Sequence, residues 1–286
     1  LNYDEFTENY NMAETFAEEF IEGTMINVFY DMDIDKWQIT TKSNIGAKVS
    51  FFDTSPSFAQ MFHEACVANN FQLDKLDKKY SYTFILQHPH NRIVMPIIYP
   101  TLYLLKVYKI HGFIIEEIDL NSFYNSITGS YLTQANIRGP ARYPISSYEE
   151  LKDFFASQNT PYYIPGIMIY HKDGERTKIR NPNYENVRFL RGNQAKLQYQ
   201  YLCLRKEDKV KDFLFFYPEH KRAFAKYRNL VHEYSEGLYK NYIECFIKKN
   251  GMLKDYPYEF KINMYKLHKK YIEELYGENK SINKSL

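Results

Sequence analysis

Tryptophan is nearly missing from this chain: one residue in 286, beside 28 tyrosines and 21 phenylalanines. With Lys, Asn and Ile abundant, that skew is the usage of an AT-rich coding sequence and reports on codons more than on chemistry. Cysteine is scarce as well. Cys66, Cys203 and Cys245 lie far apart with no CxxC pair, which speaks against a disulfide scaffold or a cysteine-rich zinc site and fits free thiols in a reducing compartment. No apolar run reaches the length of a membrane span, and residues 93–105 are short and broken by proline. No secretory signal peptide and no internal repeat are visible. Neither sign of charge dominates: 37 basic and 35 acidic residues leave +2, so any nucleic-acid surface has to be local.

What is present is a globular composition, 44% hydrophobic, long enough for one large domain or two ordinary ones. Phe6, Met12, Phe16 and Phe20 fall at roughly helical spacing and predict a helix over residues 1–20. The period then changes: 24–30 and 36–43 alternate around a turn at 31–35, a β-hairpin. Phe58, Met61, Phe62, Ala65 and Cys66 follow a serine cap and share one helical face. Residues 79–89 and 92–110 are β-branched, aromatic and punctuated by proline, and read as strands. Ser147 and Glu150 are spaced as a capping box ahead of a helix, and Asp173-Gly174 marks a second hairpin.

After about residue 205 the steps become three and four: Phe224, Tyr227, Val231, Tyr234, Leu238, Tyr242, Cys245. A last helix after Pro257 carries Phe260, Met264, Leu267, Tyr271 and Leu275, and 278–286 read as a solvated tail. The expected architecture is α+β with an antiparallel sheet over 1–204, followed by an all-α C-terminal region over 205–286.

Four short segments carry chemical interest: Glu22-Gly23-Thr24 entering a strand, Thr41-Lys42-Ser43 ending the next, Pro89-x-Asn91-Arg92-Ile93-Val94, and Gly166-Ile167 followed by Lys178-Ile179-Arg180. In this order and spacing they resemble the nucleotidyltransferase domain of phage-type ATP-dependent RNA ligases, over roughly residues 15–205. That family carries a KxDG(S/T) nucleophile motif, a TK(G/S) strand end, an FEF-x-x-P-x-NRIV strand, an EG-x-(V/I) strand and a K-x-K strand. The resemblance implies an antiparallel-sheet nucleotidyltransferase fold with a central cleft. In the family a lysine amine attacks the α-phosphate of ATP, carboxylates hold ribose and metal, and cations neutralise the departing phosphates.

The chemistry-bearing letters are absent here. Phe20 stands where the nucleophile belongs, and no lysine occurs before Lys36. Ile85 and Pro165 stand in place of two glutamates. The resemblance therefore implies a catalytically inactive member, with no catalytic residue, no metal and no cofactor, ATP and magnesium entering only if the relic cleft still binds them. Its expected lining is Glu22, Gly23, Lys42, Asn91, Arg92, Gly166, Lys178 and Arg180, taking RNA or another phosphate-bearing ligand. Lys178 and Arg180 alternate on one strand face and can act on one anion; the same cations read equally well as solvated or paired with nearby acids. Arg188, Arg191, Lys196 and Tyr199 mix cations with an aromatic ring, as single-stranded RNA contacts do.

His88 and His90 would share a strand face, but without an obvious third ligand they read as hydrogen-bonding residues. The resemblance and the composition together fit a large DNA virus, hence an expected location in host cytoplasm, viral factory or virion rather than secretion. Two other expectations stand beside the binding module: a structural or interaction protein of a viral particle contacting partners through its C-terminal helices, and an active ligase whose lysine lies elsewhere.

Overall fold

The computed structural model describes residues 1–51, 56–278 and 280–283. The chain divides into two compact units, Leu1–Gln200 and Tyr201–Leu286.

The first unit opens with a short helix, α1 (Tyr3–Asn9), capped by Asn2. The predicted helix over 1–20 ends there: Tyr10 is extended, a 3-10 turn covers Met12–Glu14, and Thr15–Glu19 is strand β1. Pairing overrides the local spacing, because β1 is held by a strand some 150 residues away, in the register Phe16↔Tyr170 and Glu18↔Met168. β2 (Thr24–Asp31) and β3 (Lys36–Thr40) form the expected hairpin. Helix α2 (Phe58–Ala68) starts where Ser57 Oγ accepts the Gln60 N–H at 3.2 Å.

Strand β4 (Tyr80–Gln87) pairs with β2 and with β5 (Thr101–His111), and β6 (Ile114–Ile118) completes that sheet. Residues 92–100, expected to be strand, are not. Pro96 and Pro100 have no N–H to give a ladder, and the N–H groups of Val94 and Met95 go to a side chain. Two short helices, α3 (Leu120–Tyr124) and α4 (Ile127–Gln134), lead to β7 (Arg142–Tyr143). Helix α5 (Tyr148–Phe155) is capped by Ser147, whose hydroxyl accepts the Glu150 N–H at 3.0 Å. The hairpin of β8 (Gly166–His171) and β9 (Arg176–Arg180) follows, and then α6 (Pro182–Arg191).

Two antiparallel sheets result, ordered β7-β1-β8-β9 and β3-β2-β4-β5-β6. Each buries one face under its own helices. Ile26, Val28, Phe84, Leu86 and Leu104 pack with Met61 and Phe62 of α2, and Ala17, Ile167, Ile169 and Ile179 pack with Phe6, Leu151 and Phe155. The alternate residues face the other way. Lys106 of β5 reaches across to the ring of Tyr170 of β8, 4.8 Å from its centroid, so the two remaining faces meet.

The second unit is helical, as expected for the C-terminal region. It takes up the end of α7 (Leu197–Lys206), then α8 (Val210–Phe216), α9 (Lys221–Tyr242) and α10 (Tyr258–Lys270). Phe213 stacks on Tyr217 and on Phe224, with centroids 4.7 and 5.0 Å apart. Tyr242, Cys245, Met264 and Leu275 form a second cluster. Ile282 is buried in it, so the expected solvated tail is only partly solvated; residues 279 and 284–286 of that tail lie outside the described residues.

Two strand glycines are required by geometry. Gly23 has φ +153°, and a Cβ there would lie 2.5 Å from Ile85 Cγ2 and 2.6 Å from the Leu86 carbonyl oxygen. Gly166 has φ +132°, and a Cβ would lie 2.0 Å from the Ile179 carbonyl oxygen. Gly166→Ala should therefore cost at least about 2 kcal/mol, from unfavourable φ plus overlap with backbone that cannot step aside. Urea unfolding measures it, and a loss under about 0.5 kcal/mol would show that the β8–β9 pair gives way easily.

Candidate functional site

The turn between β1 and β2 joins one sheet to the other, and its residues 20–23 sit at the junction. Glu22 points inward and is 4% exposed. Its carboxylate accepts the N–H groups of Val94 at 3.1 and 3.2 Å and of Met95 at 3.2 and 3.3 Å, and the Tyr184 hydroxyl donates to it as well. The Glu22 carbonyl accepts Gln87 Nε2 at 2.8 Å, and Asn91 Nδ2 donates to Thr24 Oγ1 at 2.8 Å. Glu22 and Asn91, both expected to line a cleft, are thus built into the frame. Burial pushes the Glu22 carboxyl above the ordinary range, and the backbone N–H groups and Tyr184 pull it back only in part.

Arg92 is half-buried and spends Nε and Nη2 on the Val94 carbonyl, at 3.2 and 3.1 Å. Lys42 is exposed just beyond β3, an edge strand of the larger sheet. Gly166 pairs with Arg180 across β8 and β9. On β9 the side chains of Thr177 and Ile179 are buried, so Arg176, Lys178 and Arg180 share the opposite face. Arg180 is ion-paired with Glu185 of α6, and Arg188 approaches the same carboxylate at 3.2 Å. Burial, followed by the guanidinium of Arg180, pushes the exposed Lys178 ammonium below the ordinary lysine range; Arg176 and Arg188 add to this and Glu185 opposes it.

The structure therefore brings Lys178, Arg180 and Arg188 together around Glu185. Lys196 and Tyr199 are exposed, whereas Arg191 is buried at 7% exposure and does not belong to that surface.

Phe20, at the place where the sequence resemblance would put a nucleophilic lysine, is half-buried, with the Arg180 guanidinium 5.8 Å from its ring centroid. Ile85 is buried against Gly23, and Pro165 is buried with its carbonyl accepting the Asn181 N–H at 3.1 Å. These side chains offer no nucleophile, no charge and no metal ligand, so they do not fit a magnesium-bound triphosphate.

His88 and His90 do not share a strand face: β4 ends at Gln87 and Pro89 starts a 3-10 turn. His88 is buried with Nε2 3.0 Å from Glu64 Oε2, its ring 5.5 Å from that of His90. Among the described residues no group of three His, Cys, Asp or Glu could hold a metal.

One feature escaped the sequence pattern. A cleft of about 410 Å³ opens where the two sheets face each other, lined by Phe16, Glu18, Lys106, Arg142 and Tyr170 among others. Glu18 is 7% exposed with Arg142 Nε at 3.4 Å, and burial raises its carboxyl pKa despite the nearby Lys106 and Arg142. It sits among acids in the segment expected to be helical, and nothing local marks it as buried.

No family model matches the chain. An "Immediate-early protein ICP-46 homolog" of Invertebrate iridescent virus 3 is 23% identical over 243 residues, covering 82% of this chain. The chain spans about half (50%) of that relative's length. A mutant RNA ligase of Naegleria gruberi, solved with ATP and Mn, is 10% identical with a TM-score of 0.44, covering 65% of this chain and 54% of its own. An archaeal ATP-dependent RNA ligase is 9% identical at 0.42, covering 74% and 56%, and a putative ATP-dependent DNA ligase of Aquifex aeolicus is 14% identical at 0.39, covering 82% and 64%.

Glu22→Gln should destabilise the protein by about 1–3 kcal/mol, since an amide cannot accept both buried N–H groups and the Tyr184 hydroxyl. The pH dependence carries a sign. A carboxyl whose folded-state pKa is raised contributes most below its unfolded pKa and loses that contribution as pH rises through the folded value. The stability gap between wild type and Glu22→Gln should therefore be larger near about pH 4.5 than near about pH 7.5 in thermal melts. A gap that widens toward neutral pH would mean that the N–H donors outweigh burial.

Proposed function

We propose that the first unit is a nucleotidyltransferase-type scaffold that does not adenylylate itself and that binds a phosphate-bearing strand, RNA in the first instance, on the β9 face. The observation that carries this reading is Phe20 in the turn between β1 and β2, with Arg180 lying over its ring. A phenyl ring cannot form a phosphoramidate, and Ile85 and Pro165 cannot hold a metal or a ribose. The cations outlast the nucleophile: Arg176, Lys178 and Arg180 alternate along one strand face, and Arg180 and Arg188 share the single carboxylate of Glu185. A phosphate arriving there would offset the repulsion from Arg180 that adds to burial in depressing Lys178. Lys196 and the exposed Tyr199 extend the mixture of cation and ring that single strands use.

A second reading, an interaction protein of a viral particle or complex, is favoured by the apolar side chains exposed along α10, among them Tyr258, Ile262 and Tyr265. The viral relative agrees with that setting without choosing between the two readings.

Incubation with labelled ATP and magnesium followed by a denaturing gel should leave the chain unlabelled; a covalent, acid-labile AMP adduct would defeat the inactive reading. Separately, a fluorescent single-stranded RNA should bind at about 50 mM salt and release as salt rises. Replacing Lys178 and Arg180 by Ala should weaken binding and flatten the log–log salt slope by about 1.4, roughly 0.7 per lost phosphate contact. An absence of binding at low salt, or a slope unchanged in the double variant, rules out the β9 face.

A further inference from the structure

Glu185 of α6 holds two cations on one carboxylate. Arg180 Nη1 of β9 donates to Oε1, and Arg188 Nη1 stands 3.4 Å from the same oxygen and 3.2 Å from Oε2. Among the described residues these two guanidiniums are the only hydrogen-bond partners of that carboxylate. Lys178 is a third cation within its field. One negative charge thus faces three positive ones, and the local balance stays positive with the carboxylate in place.

The backbone that carries this carboxylate is fixed. Asn181 Nδ2 donates to the Pro161 and Ile164 carbonyls at 2.8 and 2.9 Å, and Asn183 Nδ2 donates to the Gln158 and Thr160 carbonyls at 2.8 Å each. The Tyr184 hydroxyl is held by Glu22, and the Glu185 N–H goes to the Asn181 carbonyl at 3.0 Å. The Glu185 side chain is different: apart from the two guanidiniums nothing anchors it, and it reaches water by rotating about its own bonds. The side chains of Arg180 and Arg188 are 34 and 46% exposed, so both stay open to an anion from outside.

We propose that Glu185 is an internal stand-in for the anionic ligand: it occupies the seat between Arg180 and Arg188, and a phosphate of the bound strand displaces it. This role rests on the β9 reading above; it fixes where one phosphate sits and which group competes for the place. A phosphate oxygen accepts the same guanidinium N–H groups as a carboxylate oxygen, so the exchange leaves neither arginine without a partner. The freed carboxylate passes into water, and at a half-exposed site the ion pairs it gives up contribute little. A carboxylate that only braces the fold would not oppose a ligand. One that fills an anion seat lowers the fraction of molecules ready to bind, so its removal tightens binding.

Titration of a fluorescent single-stranded RNA at low salt tests the seat. Glu185→Gln should bind at least about fivefold tighter than wild type. Its log–log salt slope should steepen by up to about 0.7, as one more phosphate is engaged. Glu175→Gln makes the same change of charge at an exposed position of the β8–β9 turn and should move affinity less than about twofold. Glu185→Asp, one methylene shorter and still charged, is a second variant at the seat and should fall between wild type and Glu185→Gln. In thermal melts, added tripolyphosphate should raise the Tm of Glu185→Gln more than that of wild type, which loss of a bracing ion pair would not produce. Binding by Glu185→Gln that is no tighter than that of wild type or of Glu175→Gln overturns the proposal. If wild type then still binds, and binds less with Lys178 and Arg180 replaced by Ala, the β9 reading survives that result. Absence of binding by both wild type and Glu185→Gln defeats the two together.

Discussion

The carboxylate of Glu22 ties together three segments that are far apart in sequence. It leaves the turn between the two sheets, takes the backbone N–H groups of Val94 and Met95 from the loop after β4, and receives the Tyr184 hydroxyl from α6. Val94 and Tyr184 are buried and Met95 is half-buried, so the cost of removing the carboxylate is set largely by the groups it leaves without their partner. The loop from 91 to 95 needs this partner in particular, because with Pro96 following it cannot join the ladder on either side. Asn91 on Thr24 and Gln87 on the Glu22 carbonyl close the same knot from neighbouring positions. The conformation of the turn, and with it the angle at which one sheet leaves the other, rests on that knot.

The knot gives a structural reason for several of the residues singled out in the sequence. Glu22, Gly23, Asn91 and Gly166 are what the frame needs: two positions where the backbone has positive φ and no room for a Cβ, and two side chains that satisfy buried groups. Phe20, Ile85 and Pro165, where the sequence resemblance would put a lysine and two carboxylates, fill volume instead.

The sequence revealed elements whose signal is local. The hairpins, the serine caps of α2 and α5 and the three-and-four stepping of α9 and α10 all follow from residues within a few positions of one another. It misled where partners are remote. Phe16 and Phe20 are four apart as in a helix, yet β8 claims the segment, and Phe16 stacks on Tyr170 at 5.5 Å. Residues 92–100 have the composition of a strand but give their N–H groups to Glu22, an arrangement with no signature in either segment. Among the expected site residues the glycines and the alternation of Lys178 with Arg180 were legible, because backbone geometry and strand period are short-range properties. That Glu22 and Asn91 would turn inward, that Arg191 would be buried, and that Glu18 would sit between the sheets depended on tertiary packing.

The same contrast between satisfied and unsatisfied groups separates the surfaces that can act from those that cannot. Arg92 is bonded to its own loop, His88 to Glu64, and Arg138 to Glu19 at 2.6 Å, so each is already engaged within the fold. On β9 the balance differs. Arg180 and Arg188 divide one carboxylate between them, and Lys178 stands beside them exposed with its ammonium disfavoured. A protein gains nothing in stability from cations crowded on one strand face, since their mutual repulsion is only partly offset by Glu185 and by solvent. That crowding is the arrangement on which the proposed anion contact rests, and it lies beside the turn that carries Phe20.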